Sequence, residues 1–152
     1  MHARNTPLLA LTISAALYSS ITAAAERSAS ANFILRCSGC HGMDGSGTTV
    51  GGVPDFRNYI GAFATDDDGR TYVLRVPGVV NASLSDSEIS AVINYVMWAW
   101  GGTSLLPSFV AFTPEEVAAR RTRAVGDIVR FRRQIVGRLS TAGIQTAEYP
   151  WP

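Results

Sequence analysis

The chain has 152 residues, with 13 arginines, no lysine and two cysteines. That length allows one domain and little beyond it. At 47% hydrophobic and 16% charged residues it does not have the composition of a disordered chain. A formal net charge of +1 makes no global case for nucleic-acid binding, and two cysteines cannot build a disulfide framework.

Residues 1–25 read as a secretory signal peptide. His2 and Arg4 open it, residues 8–17 are apolar apart from Thr12 and Ser14, and Ala23-Ala24-Ala25 offers small residues for cleavage. The alternative is an uncleaved membrane anchor. Thr12, Ser14, Ser19, Ser20 and Thr22 make that stretch a poor span. Removal leaves residues 26–152 with no net charge, but the charge is unevenly placed. Residues 26–114 carry −3 and residues 115–138 carry +4.

The first helix is expected over 27–38, where Phe33, Ile34 and Cys37 recur at helical spacing after a Ser28 or Ser30 cap. Glycines at 39, 42, 45, 47, 51 and 52 then point to a tight loop. A short helix is expected over 59–64. The run Asp66-Asp67-Asp68-Gly69 reads as a solvated turn capping a helix over 70–76, with an acidic docking patch or weak cation site as the alternatives. Pro77-Gly78 should stop that helix. Ser85 and Glu88 form a capping box for a helix running to Trp100, apolar on more than one face and therefore buried. Thr113-Pro114-Glu115-Glu116 starts another helix reaching about residue 124, and a last one covers 128–139. Its apolar face is Ile128, Phe131, Ile135 and Leu139. No strand alternation and no internal repeat appear, so the fold class is all-α. Arg120, Arg121, Arg123, Arg130, Arg132 and Arg133 read as wet helix faces, or else as a contact for a protein partner or an anionic membrane.

The chemistry concentrates at Cys37-Ser38-Gly39-Cys40-His41, the attachment sequence of c-type haem. Two thioethers must reach two carbons on one edge of the porphyrin, and a separation of three residues turns both sulfurs to one side. The following imidazole then projects toward the iron as proximal ligand. Small Ser38 and Gly39 let the macrocycle approach the backbone. A thioredoxin-like pair would want a preceding strand, and none is visible. A zinc site would need a further ligand, yet residues 26–152 hold no other cysteine or histidine. A disulfide between the two is conceivable only before haem loading.

Residues 37–47, Cys-Ser-Gly-Cys-His-Gly-Met-Asp-Gly-Ser-Gly, resemble the haem loop of class I bacterial cytochromes c. The resemblance extends over about residues 28–100. It implies class I helices around one covalently bound haem c, with the aromatics Phe33 and Tyr95 on two crossing helices near the haem edge. It also implies that the Pro54 carbonyl accepts the His41 Nδ1–H and orients the ring. The alternative for Pro54 is a plain turn proline. Residues 26–102 are then the haem domain, and residues 103–152 are a C-terminal helical extension outside the family pattern, packed on the same domain.

One feature departs from the resemblance. Relatives carry a methionine in the loop before the last haem-packing helix, and residues 75–83 have none. Only Met43 and Met97 remain as soft ligands. Met43 lies too close to His41 to reach the far face. Met97 is the candidate distal iron ligand, with core packing as the alternative. A five-coordinate iron, or a weak ligand such as water or Asn81, is the other reading.

The resemblance and the export signal together imply a periplasmic monohaem cytochrome, an electron carrier and not an enzyme. It would take single electrons from a periplasmic dehydrogenase, as its acceptor or subunit, and pass them to a downstream acceptor. No nucleic-acid partner is expected, and membrane contact is allowed but not required. The alternative is a five-coordinate haem protein that binds small ligands or performs haem chemistry.

Overall fold

The computed structural model describes residues 26–149, so the signal-peptide reading of 1–25 and the last three residues lie outside the described residues. The described residues are helical, with no strand beyond one isolated bridge between Thr48 and Val53. None of their helices is long and apolar enough to cross a membrane.

Helix α1 (Ala29–Arg36) begins where the Ser28 hydroxyl accepts from the Ala31 N–H. It ends at Cys37, whose backbone is not helical, and a single turn, α2 (Ser38–His41), follows. The expected continuous helix is thus broken at the first cysteine, and Gly39 belongs to α2 and not to the loop. A 3₁₀ segment (Ile60–Thr65) leads into α3 (Asp67–Arg75). Asp66 caps α3 by accepting from the Gly69 N–H at 2.9 Å, so the acidic run is the first turn of the helix and not a separate turn before it. Helix α3 stops before Pro77 as expected, with Val76 extended (φ −61, ψ 142), and Pro77 opens a new helix. Pro77 occupies the first position of that short helix, α4 (Pro77–Val80), where its missing N–H leaves nothing unsatisfied.

The capping box at Ser85 and Glu88 is complete and starts α5 (Asp86–Trp100). Helix α5 packs against α1, and Phe33 meets Tyr95 and Trp100 there, with ring centroids 5.9 and 4.6 Å away. Phe33, Leu74, Ile89 and Met97 are among the largest fully enclosed side chains of the core.

Helices α6 (Pro114–Arg121) and α7 (Ile128–Thr141) lie against α3, and α6 also packs on α5. Val117, Ile135 and Leu139 join the same core. The link before α6 is pinned by buried Asn94, which accepts from the Phe112 N–H at 2.8 Å and donates to the Phe112 carbonyl at 2.9 Å. Asn94→Ala would leave both backbone groups buried without a partner. The expected loss is about 2–4 kcal/mol, read as a lower denaturant midpoint with little change in slope.

The acidic run is neither a free turn nor an open patch. Asp66 and Asp68 both accept from Arg138, and Asp67 accepts from Arg120 and Arg123. The Arg120 guanidinium, itself nearly buried, also pairs with Glu116 and donates to the Thr71 hydroxyl. Arg121 pairs with Asp86. The positive 115–138 segment is therefore held by acids of the preceding part of the chain. Four of the arginines first read as wet faces or partner contacts, Arg120, Arg121, Arg123 and Arg132, are engaged internally instead.

Hydrogen bonds from Arg120 and Arg123 hold the Asp67 carboxyl at about 2, below its ordinary value of 3.8. Arg138 likewise lowers Asp66. A depressed carboxylate contributes stability that is fully present above its unfolded value and is lost as pH falls through the folded value. The denaturant midpoint should accordingly fall between about pH 4 and pH 2, and less so in Asp67→Asn. Asp67 is largely exposed, so the effect will be modest and reduced by salt.

Candidate haem site

Cys37 is half-buried and Cys40 exposed; both are free thiols. They are placed by α2, where the Cys40 and His41 N–H groups both donate to the Cys37 carbonyl, at 3.1 and 3.0 Å. A single turn of helix thus turns the two sulfurs and the imidazole toward one region, as the motif requires. All three residues line a cleft of about 370 Å³, within the ordinary range for a bound small molecule.

One side of the cleft comes from the glycine loop, Gly51 to Phe56. The rest comes from the 3₁₀ segment, α3, α4 and α7, through residues such as Phe63, Val73, Val76 and Ile128. The surface is predominantly apolar, as a porphyrin face needs. The glycine loop is closely folded. The Gly47 N–H donates to the His41 carbonyl at 3.0 Å, Phe56 N–H donates to the Gly45 carbonyl at 2.8 Å, and Thr48 and Val53 exchange a pair of bonds at 2.9 Å. Phe56 stacks on the His41 ring with centroids 3.9 Å apart. No motif marks Phe56 as a site residue; its role follows from the fold of the loop.

The His41 Nδ1 atom is buried with no hydrogen-bond partner. Burial pushes the imidazole down to about 4, so it is neutral near pH 7 and free to act as a metal ligand. The expected bond from His41 to the Pro54 carbonyl is not made in this structure, although Pro54 lines the same cleft. Burial and the neighbouring Cys40 push the Cys37 thiol up. The donors therefore fit a covalently held haem: two thiols, one neutral imidazole with an unused nitrogen, and an apolar cleft.

Three other residues singled out in the sequence lie away from the cleft lining. Phe33 and Tyr95 do meet each other, but they sit behind the site between α1 and α5 and do not line the cleft. Met97 is wholly enclosed in the core and is absent from the cleft lining, so it is not placed to be a distal ligand. The cause is helical phase: Met97 shares the inner face of α5 with Ile93 and Val96. Met97→Ala should cost about 2–4 kcal/mol by opening a cavity, and leave the absorption bands of the haem-loaded protein unmoved.

A helical chain that gathers two thiols and an imidazole at one apolar cleft defines a protein built to hold a haem covalently. Comparison with known sequences agrees. The chain is 30% identical over 111 residues to cytochrome c-552 of Thermus thermophilus, a match covering 61% of this chain and 84% of that protein. The cytochrome c-552 of a particular strain of the same species matches at 30% over 111 residues, covering 74% of its length. No family model matches the chain. The protein belongs to the c-type cytochromes, electron-transfer proteins with one covalently bound haem c.

Proposed function

We propose that this chain is a class I cytochrome c of the periplasm, exported by residues 1–25, that accepts single electrons from a periplasmic dehydrogenase and passes them to a downstream acceptor. It could act as that dehydrogenase's subunit as well as its acceptor. The observation that carries this reading is the convergence of Cys37, Cys40 and His41 on one apolar cleft.

When bound, the haem iron supplies a one-electron couple. Cys37 and Cys40 would hold the ring edge through thioethers. His41 would present a neutral imidazole to the iron. The Pro54 carbonyl, in the same cleft, would accept the His41 Nδ1–H, fixing the ring's orientation and raising its basicity. Residues 26–102 would form the haem domain, and residues 103–152 the extension that covers it. Ile34, Leu35, Met43 and Val50 are large exposed apolar residues flanking the cleft-lining segments in sequence, and they would form the contact for the redox partner. Membrane contact is not required for this role.

A specific observation favours a second reading. The cleft lining contains no methionine, lysine or second histidine. The iron would then be open, or held only by a weak ligand, and would bind small molecules. Carbon monoxide binding to the reduced protein separates the two. Slow or absent binding, with a reversible one-electron titration and reduction by a dehydrogenase, supports the carrier. Fast, tight binding overturns it in favour of the open-iron protein.

A further inference from the structure

Residues 89–114 contain no charged side chain. They run from α5 through the link to α6, and several of their apolar groups face outward. Trp98 is 63% exposed, Val110 72% and Leu106 48%. The Trp98 ring stands edge-on to Phe109, with centroids 6.3 Å apart. Phe109, Leu106 and Val110 in turn line a groove of about 460 Å³. This groove shares no lining residue with the haem cleft. The charges in its lining, Arg70 and Glu116, offer nothing to a ligand. Arg70 donates twice to the Glu116 carboxylate and once to the Val110 carbonyl, at 3.0 Å, and its guanidinium lies 3.8 Å from the Phe112 ring centroid.

A continuous apolar face of this kind is unfavourable in water unless something covers it. A bilayer would lie across the rim and leave the recess unfilled, and the face has no free cation for an anionic headgroup. A second copy of the chain matches it better. A projecting indole and a recess stand side by side, so a two-fold axis between them sets each indole in the other copy's groove. One chain thus supplies both halves of the contact. Charge does not oppose the meeting, because the face is uncharged and residues 26–152 carry no net charge. An aromatic anchor in a desolvated pocket is also a typical centre of binding energy.

We propose that the chain forms a two-fold homodimer through this face, with Trp98 of each protomer seated in the groove of its partner. The inference stands on the groove and its rim and does not need the redox-partner reading above. The haem cleft lies outside the contact, so each protomer keeps its own cleft free.

The test is sedimentation equilibrium of the haem-loaded protein from micromolar to near-millimolar concentration. The mass should rise to that of a dimer, and the dimer should persist in high salt because no ion pair holds it. Trp98→Glu and Val110→Arg should each weaken it by about tenfold or more. Both positions are exposed, and unchanged haem absorption and melting temperature verify that each variant is folded. Mixing the two variants should restore a dimer, since the carboxylate introduced at 98 then meets the guanidinium introduced at 110. A wild type that keeps the mass of one chain at every concentration overturns the proposal. So does a dimer equally tight in both variants, which would place the contact on another face. Monomeric wild type that sediments with phosphatidylcholine vesicles, and loses that binding in Trp98→Glu, overturns it in favour of a membrane contact.

Discussion

Replacement of both Cys37 and Cys40 by alanine is expected to abolish covalent haem, seen as complete loss of haem staining on a denaturing gel. The cleft is lined by residues from α2, the glycine loop, the 3₁₀ segment, α3, α4 and α7. Side chains facing an apolar cleft bury much of their surface only against what fills it. The double variant should therefore also unfold at lower denaturant than the haem-loaded wild type. The shift should be at least the several kcal/mol typical of losing a tightly held cofactor. A single Cys40→Ala variant should keep one thioether and retain haem in part. Equal haem staining in the double variant and the wild type would contradict the assignment of these cysteines.

Gly47→Ala is expected to be the most damaging small substitution in the loop. Gly47 has φ +72, in the left-handed region that favours glycine. A Cβ there would lie 2.3 Å from the Val53 carbonyl oxygen and 2.6 Å from that of Pro54. Backbone is in the way, not a flexible side chain, so the loop itself must shift. Strain and clash together should cost about 3 kcal/mol or more. The same shift would move Pro54, and the 3.0 Å bond from the Gly47 N–H to the His41 carbonyl would be lost or lengthened. The variant should thus show both a lower melting temperature and altered haem absorption. Gly137→Ala, on the exposed face of α7 where a Cβ meets nothing within 4 Å, is the control and should change little.

The legible parts of this molecule are local. Ser28 and the Ser85–Glu88 box mark helix starts because capping depends on residues three apart in sequence. Thr113 likewise caps α6, but the expected second half of its box is not made. The Glu116 side chain pairs with Arg70 and Arg120 instead, across 46 residues in the first case. The acidic run shows the same limit. As sequence it reads as a solvated turn, and its arginine partners lie between 53 and 72 residues away. Met97 was readable as either ligand or core, because a buried helix offers no sequence cue for which enclosed face looks onto a cofactor.

The spacing of Cys37, Cys40 and His41 points to haem attachment from the chain alone, since it is a matter of a few covalent bonds and one helical turn. The all-helical character was equally open to reading, because hydrophobic period and caps are short-range signals. Long-range packing settles the rest. It stacks Phe56 on His41, withdraws Phe33, Tyr95 and Met97 from the cleft, and brings Arg132 of the last helix into its wall. Each of those placements depends on how helices far apart in the chain meet, and no local pattern encodes that meeting.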